Sequence, residues 1–159
     1  MGYSDQSTSN APFSSLLKDQ RKESPNAGAN YQNLQSLYLE GTWSLKKNVT
    51  SLFPPYLVKL TLIRSRLQQN PMPELGKLKS LKKLCLREHA LNYSGPTICP
   101  EGFPVLQYLE VDDRGIKDLT VAQGVMPKLT YLQVHGNIQL HLPPELQHVT
   151  LKKNFSRDP

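Results

Sequence analysis

The chain has 159 residues, a formal net charge of +6 and a hydrophobic content of 38%, which leaves room for one ordinary domain. A pI near 9.3 is moderately basic, and on its own this is only a weak pointer to an anionic partner. No run of 18 apolar residues exists, so no segment reads as a membrane-spanning helix, and Met1 to Phe13 has neither the basic start nor the apolar stretch of a secretory signal.

The apolar residues are unevenly chosen. Leu accounts for 26 of them, against four Phe and one Trp. A generic core mixes its apolar types, so this bias points to one small core built several times over.

In chain order, residues 1–30 are rich in Ser, Asn, Gly and charge. They carry no apolar periodicity beyond Phe13, Leu16 and Leu17, and read as a poorly ordered segment with at most one helical turn at "FSSLLKD". From Tyr31 to the end, residues 31–159, a different pattern takes over. Leu-x-x-Leu-x-Leu hexads start at Leu34, Leu57, Leu81, Leu106 and Leu129, with a degenerate sixth, "LQHVTL", at Leu146. The starts are 23, 24, 25, 23 and 17 residues apart. This is the signature of a leucine-rich repeat, giving about five full repeats and a degenerate last one.

The physical meaning follows from strand geometry. Alternate side chains of a strand point to opposite faces, so the second and third apolar residues of each hexad point inward. One repeat cannot bury them alone, and stacked repeats form a continuous core under a parallel sheet. The expected fold class is α/β, a leucine-rich-repeat solenoid, or horseshoe, with a parallel concave sheet. Pro and Gly crowd the returns ("LFPPY", "QNPMPELG", "SGPTICPEGFP", "QGVMP", "LPPEL"). They argue against long convex helices and predict irregular loops and 3₁₀ turns, with one helical turn at "PELGKLKS". The ninth position, where a repeated Asn would bond adjacent backbones, holds Thr42, Ser65, His89, Arg114, Asn137 and Asn154, so a regular Asn ladder is not expected.

The outward positions fall into three columns, with neighbours about 4.8 Å apart. The first reads Ser36, Lys59, Lys83, Tyr108, Tyr131, His148; the second, Tyr38, Thr61, Cys85, Glu110, Gln133, Thr150; the third, Glu40, Ile63, Arg87, Asp112, His135, Lys152. This register puts Tyr108 beside Tyr131, flanked by Lys83 and His148, and Arg87 beside Asp112 as an ion pair. Lys83, Arg87, Tyr108, Asp112, Tyr131, His135 and His148 are therefore the candidate partner-contact residues, because the Leu core leaves them free and Tyr anchors interfaces. The same tyrosines would also serve as plain cross-strand packing neighbours.

Enzyme chemistry finds no support. The chain lacks Walker, HExxH, GxSxG and GxGxxG motifs, so no catalytic residue, cofactor or nucleotide site is expected. His135 and His148 fall in different columns, about 13 Å apart along the strand direction, too far to share a metal. The Lys-rich "GKLKSLKKLCLR" has no interleaved aromatics and does not read as a nucleic-acid patch. Cys85 and Cys99 show no CxxC spacing, which fits a reducing compartment; Arg87, two residues on, would lower the Cys85 pKa slightly. Three glycosylation sequons at Asn48, Asn92 and Asn154 point the other way, toward the alternative of an extracellular repeat protein that binds ligands. Without an entry signal or an LxGxIP phrase they read as chance matches.

The hexads, with "FPPYLVKLTLIRSRLQQNPMPELGKLKSLKKLCL", "EGFPVLQYLEV" and "GVMPKLTYLQV", resemble the C-terminal leucine-rich repeats of plant nucleotide-binding disease-resistance proteins of the coiled-coil class. The resemblance covers residues 31–151. It implies a cytoplasmic, monomeric, non-enzymatic module of an immune receptor that contacts proteins, either pathogen effectors or other receptor domains, rather than nucleic acid or membrane. The coiled-coil and nucleotide-binding domains are not within this chain, so ATP binding is not carried over, and a fragment or truncated form is expected.

Overall fold

A computed structural model describes residues 33–42 and 53–154. The expected disorder of residues 1–30, and the sequon at Asn48, lie outside the described residues.

Each hexad becomes a five-residue strand: β1 (Ser36–Glu40), β2 (Lys59–Ile63), β3 (Lys83–Arg87), β5 (Tyr108–Asp112) and β7 (Tyr131–His135). They join β9 (Thr150–Asn154) in one parallel sheet of order β1-β2-β3-β5-β7-β9. Leu60, Leu62, Leu84, Leu86, Leu109, Val111, Leu132 and Val134 are wholly buried, so the inward face is the one the hexads name. The chain is a leucine-rich-repeat solenoid.

Backbone bonds set the step from one repeat to the next. The carbonyl of Val58 accepts from both Lys82 and Lys83, and that of Lys82 from both Gln107 and Tyr108. The carbonyl of Gln107 does the same for Thr130 and Tyr131. This fixes the register in which Lys59, Lys83, Tyr108 and Tyr131 stand in one row.

The returns differ from expectation in one respect. Alongside one helical turn among the described residues, α1 (Met72–Leu75), and a 3₁₀ turn at Pro144–Leu146, they hold a second parallel sheet. Its strands are β4 (Thr97–Cys99), β6 (Asp118–Val121) and β8 (Gln139–His141). Loops were expected here because each strand is only three or four residues long and sits among Pro and Gly. Stacking of successive repeats lines these short segments up, and Cys99, Leu119 and Val121 add to the core.

The phrase Gly-Phe-Pro is a close backbone contact. Gly102 has φ +92, and a Cβ there would meet the carbonyl oxygen of Gly76 at 2.5 Å. Phe103 follows at φ +57, donates its N–H to Gly76 O at 3.0 Å, and is wholly buried. Met126 repeats the conformation in the next repeat, at φ +57 and equally buried. These positive-φ anchors bring a bulky side chain into the core at a sharp turn.

In place of an Asn ladder, Asp113 bonds adjacent repeats. It sits one residue before the expected position and is 1% exposed. Its Oδ2 accepts from the backbone N–H of Leu91 and its Oδ1 from that of Gly115, each at 2.8 Å.

Candidate functional site

The concave face is a connected set of side chains. Tyr108 and Tyr131 stand side by side on β5 and β7, their rings stacked with centroids 5.1 Å apart and planes 4° from parallel. Lys83 continues the row, its Nζ lying 3.9 Å from the centre of the Tyr108 ring. A cation thus sits on one end of a two-ring stack, an arrangement the ring quadrupole favours.

One row on, Thr61, Cys85 and Glu110 point outward from the sheet yet are buried, in the column flanked by those of Tyr108 and Arg87. A buried carboxylate needs partners, and Glu110 has several. Arg87 Nε donates to Oε1 and Nη2 to Oε2, both at 2.7 Å, and the Tyr108 hydroxyl donates to Oε2 at 3.2 Å. Burial pushes the Glu110 carboxyl up, but the bonds and charge of Arg87 outweigh it and hold the group below its ordinary range. Bonding to Glu110 raises the Arg87 pKa. Burial, and then the Glu110 charge, push the Tyr108 phenol up to about 12.

The network continues toward β9. The Tyr108 hydroxyl also lies 3.3 Å from Gln133 Oε1, so its single proton is shared between that oxygen and Glu110 Oε2. The Gln133 amide nitrogen is 2.6 Å from His135 Nε2, and the Asn154 amide nitrogen is 3.4 Å from the same atom. Two amide donors aimed at Nε2 make that nitrogen the acceptor and leave the proton on Nδ1, which faces Asp112 Oδ1 at 4.0 Å.

The expected contact residues therefore divide. Lys83, Arg87, Tyr108, Asp112, Tyr131 and His135 share this face. His148 does not join them, because the last strand is displaced by two residues: Thr150, not His148, pairs with Tyr131. His148 is exposed in the turn before β9. The cause is the 3₁₀ turn at Pro144–Leu146, which buries Leu146 before the strand begins. The second and third columns consequently end in Lys152 and Asn154.

Two further expectations are corrected. Arg87 stands opposite Asp112 in the register but pairs with Glu110. Burial, then the Glu110 charge, raise the Cys85 pKa and outweigh the lowering by Arg87, so the thiol is not made more acidic overall. Glu110 and Gln133 are the residues a column-by-column reading undervalues, and the available signal was a carboxylate placed mid-strand between Cys85 and Gln133.

No group of three or more His, Cys, Asp or Glu among the described residues is placed to hold a metal ion. No helix among them is long and apolar enough to cross a membrane. The face offers cations, stacked rings and amides.

No family profile matches the chain, and no solved structure matches it. Curated relatives do. The chain is 34% identical over 105 residues to the disease resistance protein RPH8A of Arabidopsis thaliana, covering 65% of this chain and 12% of that protein. It is 37% identical over 93 residues to the putative disease resistance RPP13-like protein 3 of the same plant, covering 54% and 11%. It is also 32% identical over 143 residues to the probable disease resistance protein RXW24L, again from Arabidopsis, covering 82% and 16%. The chain thus spans between about a tenth and a sixth of the length of these relatives. The resemblance read from the hexads is borne out: this is a repeat region of the plant disease-resistance kind.

Proposed function

From kinship with plant disease resistance proteins, we propose that this chain is a non-enzymatic, intracellular recognition module of plant defence. It contacts proteins through the concave face, either pathogen proteins or other domains of a receptor, and it corresponds to the repeat part of a longer architecture. The observation that carries the reading is the Lys83–Tyr108–Tyr131 stack set beside a fully bonded Arg87–Glu110 pair. Such a face is rigid before contact, so little side-chain freedom remains to be lost on binding.

The test is cross-linking recovery of partners from leaf cells expressing the tagged chain, compared with a Tyr108→Ala/Tyr131→Ala variant. The reading expects partners lost while the variant stays folded at the assay temperature, its melting temperature lowered only by the lost stack and the Glu110 bond. A variant that keeps every partner, or simply melts, counts for packing alone.

A second reading, an extracellular ligand-binding repeat protein, draws on one observation: Asn92, in an Asn-Tyr-Ser sequon, is exposed. An intact-mass measurement on protein from native tissue decides between them, since added glycan at Asn92 requires passage through the secretory route.

A further inference from the structure

The charges of the concave face are not evenly answered. Glu40 is bonded by Arg64 at 2.9 Å, and the same guanidinium reaches Glu88 at 2.5 Å. Glu110 is held by Arg87, and Asp112 faces His135. Glu40, Glu88 and Glu110 thus each have an arginine partner, and Asp112 has the imidazole of His135 beside it. The lysines do not share in this: among the described residues, no carboxylate lies within ion-pair distance of Lys59 or Lys83. They stand directly opposite each other on β2 and β3, and exposed Lys82 adjoins them. Like charges placed opposite each other on a sheet are destabilising, and a bound anion between them relieves the repulsion.

The other end of the row is open in a different way. Tyr131 presents one ring face to Tyr108. On its far side the register places Thr150, a side chain too small to cover a ring. The row therefore begins with two lysines that no carboxylate answers, Lys83 resting only on the Tyr108 ring, and ends with an aromatic surface that can accept one more planar group.

Resting on the reading of this face as a protein contact, we propose that the row binds an extended acidic segment of its partner. A carboxylate seats between Lys59 and Lys83, and an aromatic side chain lies on Tyr131. From the midpoint of β2 and β3 to β7 is two and a half strand spacings, about 12 Å, which an extended chain crosses in about four residues. A nucleic acid fits less well. Binding without sequence preference uses successive aromatic platforms along a basic groove, whereas here the two rings cover each other and leave a single site.

The experiment is fluorescence anisotropy of the full chain with labelled twelve-residue peptides. One carries Glu-Glu four residues ahead of Phe, one carries Gln-Gln in the same places, and one moves Phe next to the Glu pair. A single-stranded oligonucleotide of equal charge is the fourth probe. The first peptide is expected to bind at least about tenfold tighter than the second and severalfold tighter than the third. Lys59→Gln with Lys83→Gln should weaken it about tenfold with little change in melting temperature, because relief of the lysine repulsion offsets loss of the Lys83–Tyr108 contact. Arg114→Gln with Lys117→Gln, an equal change of net charge on the loop before β6, should leave it within about twofold. Equal binding of the first two peptides overturns the proposal, as does equal weakening by both variant pairs or tighter capture of the oligonucleotide. If the peptide fails while Tyr108→Ala/Tyr131→Ala still loses leaf partners, the acidic segment is wrong and the contact face stands. If that variant keeps its partners as well, both fall.

Discussion

Arg87 grips Glu110 with two bonds of 2.7 Å, although its direct neighbour across β3 and β5 is Asp112. Solvation explains the choice. Glu110 is 4% exposed, whereas the Asp112 side chain is 41% exposed, so water serves one carboxylate and not the other. The bidentate fork goes where desolvation is greatest.

That relationship predicts an asymmetric mutant cycle. Arg87→Ala leaves a buried carboxylate without its main partner and should cost about 2 to 3 kcal/mol. This falls below the value for a fully buried pair, because the Arg87 side chain is 39% exposed and water enters in its place. Adding Glu110→Gln removes the stranded charge and should recover part of the loss. Urea unfolding of the four proteins gives the coupling, and strictly additive losses would mean the two groups do not act as a pair.

Acid should weaken the fold by the same link. The folded Glu110 carboxyl lies below its ordinary value of 4.5, so the unfolded chain takes up the proton first as pH falls. Its contribution to stability is therefore complete above about 4.5 and is lost as pH drops through the lower folded value. Melting temperatures between pH 7 and pH 3 should fall less steeply for Glu110→Gln than for the wild type. Parallel curves would show that other carboxylates carry the acid response.

Gly102 is a backbone requirement. Its φ of +92 suits glycine, and an added Cβ would lie 2.5 Å from the Gly76 carbonyl oxygen. Gly102→Ala should cost about 1 to 3 kcal/mol. Gly124, also at positive φ but with nothing within 4 Å of a Cβ, should lose less on the same change, which thermal melts of both variants will measure.

In the middle of the array, Leu109→Ala should cost about 2 to 5 kcal/mol, because the side chain is wholly buried. Each repeat packs only on its neighbours, so the weakening should spread outward from β5. Amide exchange should quicken in β3 and β7 along with β5. A loss below about 1 kcal/mol would contradict a central buried position.

The hexads were readable because alternation marks an inward face without any tertiary knowledge, and Leu84 or Leu109 could point nowhere else. The last strand escaped for the same reason. A shift of two residues preserves alternation, so Leu151 stays on the inward face in either register, beside Val134 in the expected one and beside Leu132 in the observed one. What moved the strand was the turn that buries Leu146, a competition between two uses of one residue. Leu151, with no further described strand beyond it, remains 44% exposed. The pairing of Arg87 was hidden too, since columns give neighbours but not burial, and burial chose Glu110. The strands β4, β6 and β8 are too short for periodicity to register.

The Tyr108 phenol supplies the last prediction. Its ionisation is pushed up to about 12 by burial and by the Glu110 carboxylate that its hydroxyl bonds. The folded chain thus holds the neutral phenol more firmly than the unfolded chain, whose ordinary value is 10.0. This contribution to stability is complete below about 10 and is lost as pH rises through about 12. Ultraviolet titration of the folded protein should show a late tyrosinate component that disappears in Tyr108→Phe. Glu110→Gln should move that component down toward the ordinary value, because the repelling charge and the charged acceptor both go. The stack with Tyr131 remains in that variant, so a component that stays near 12 after Glu110→Gln would assign the shift to burial alone.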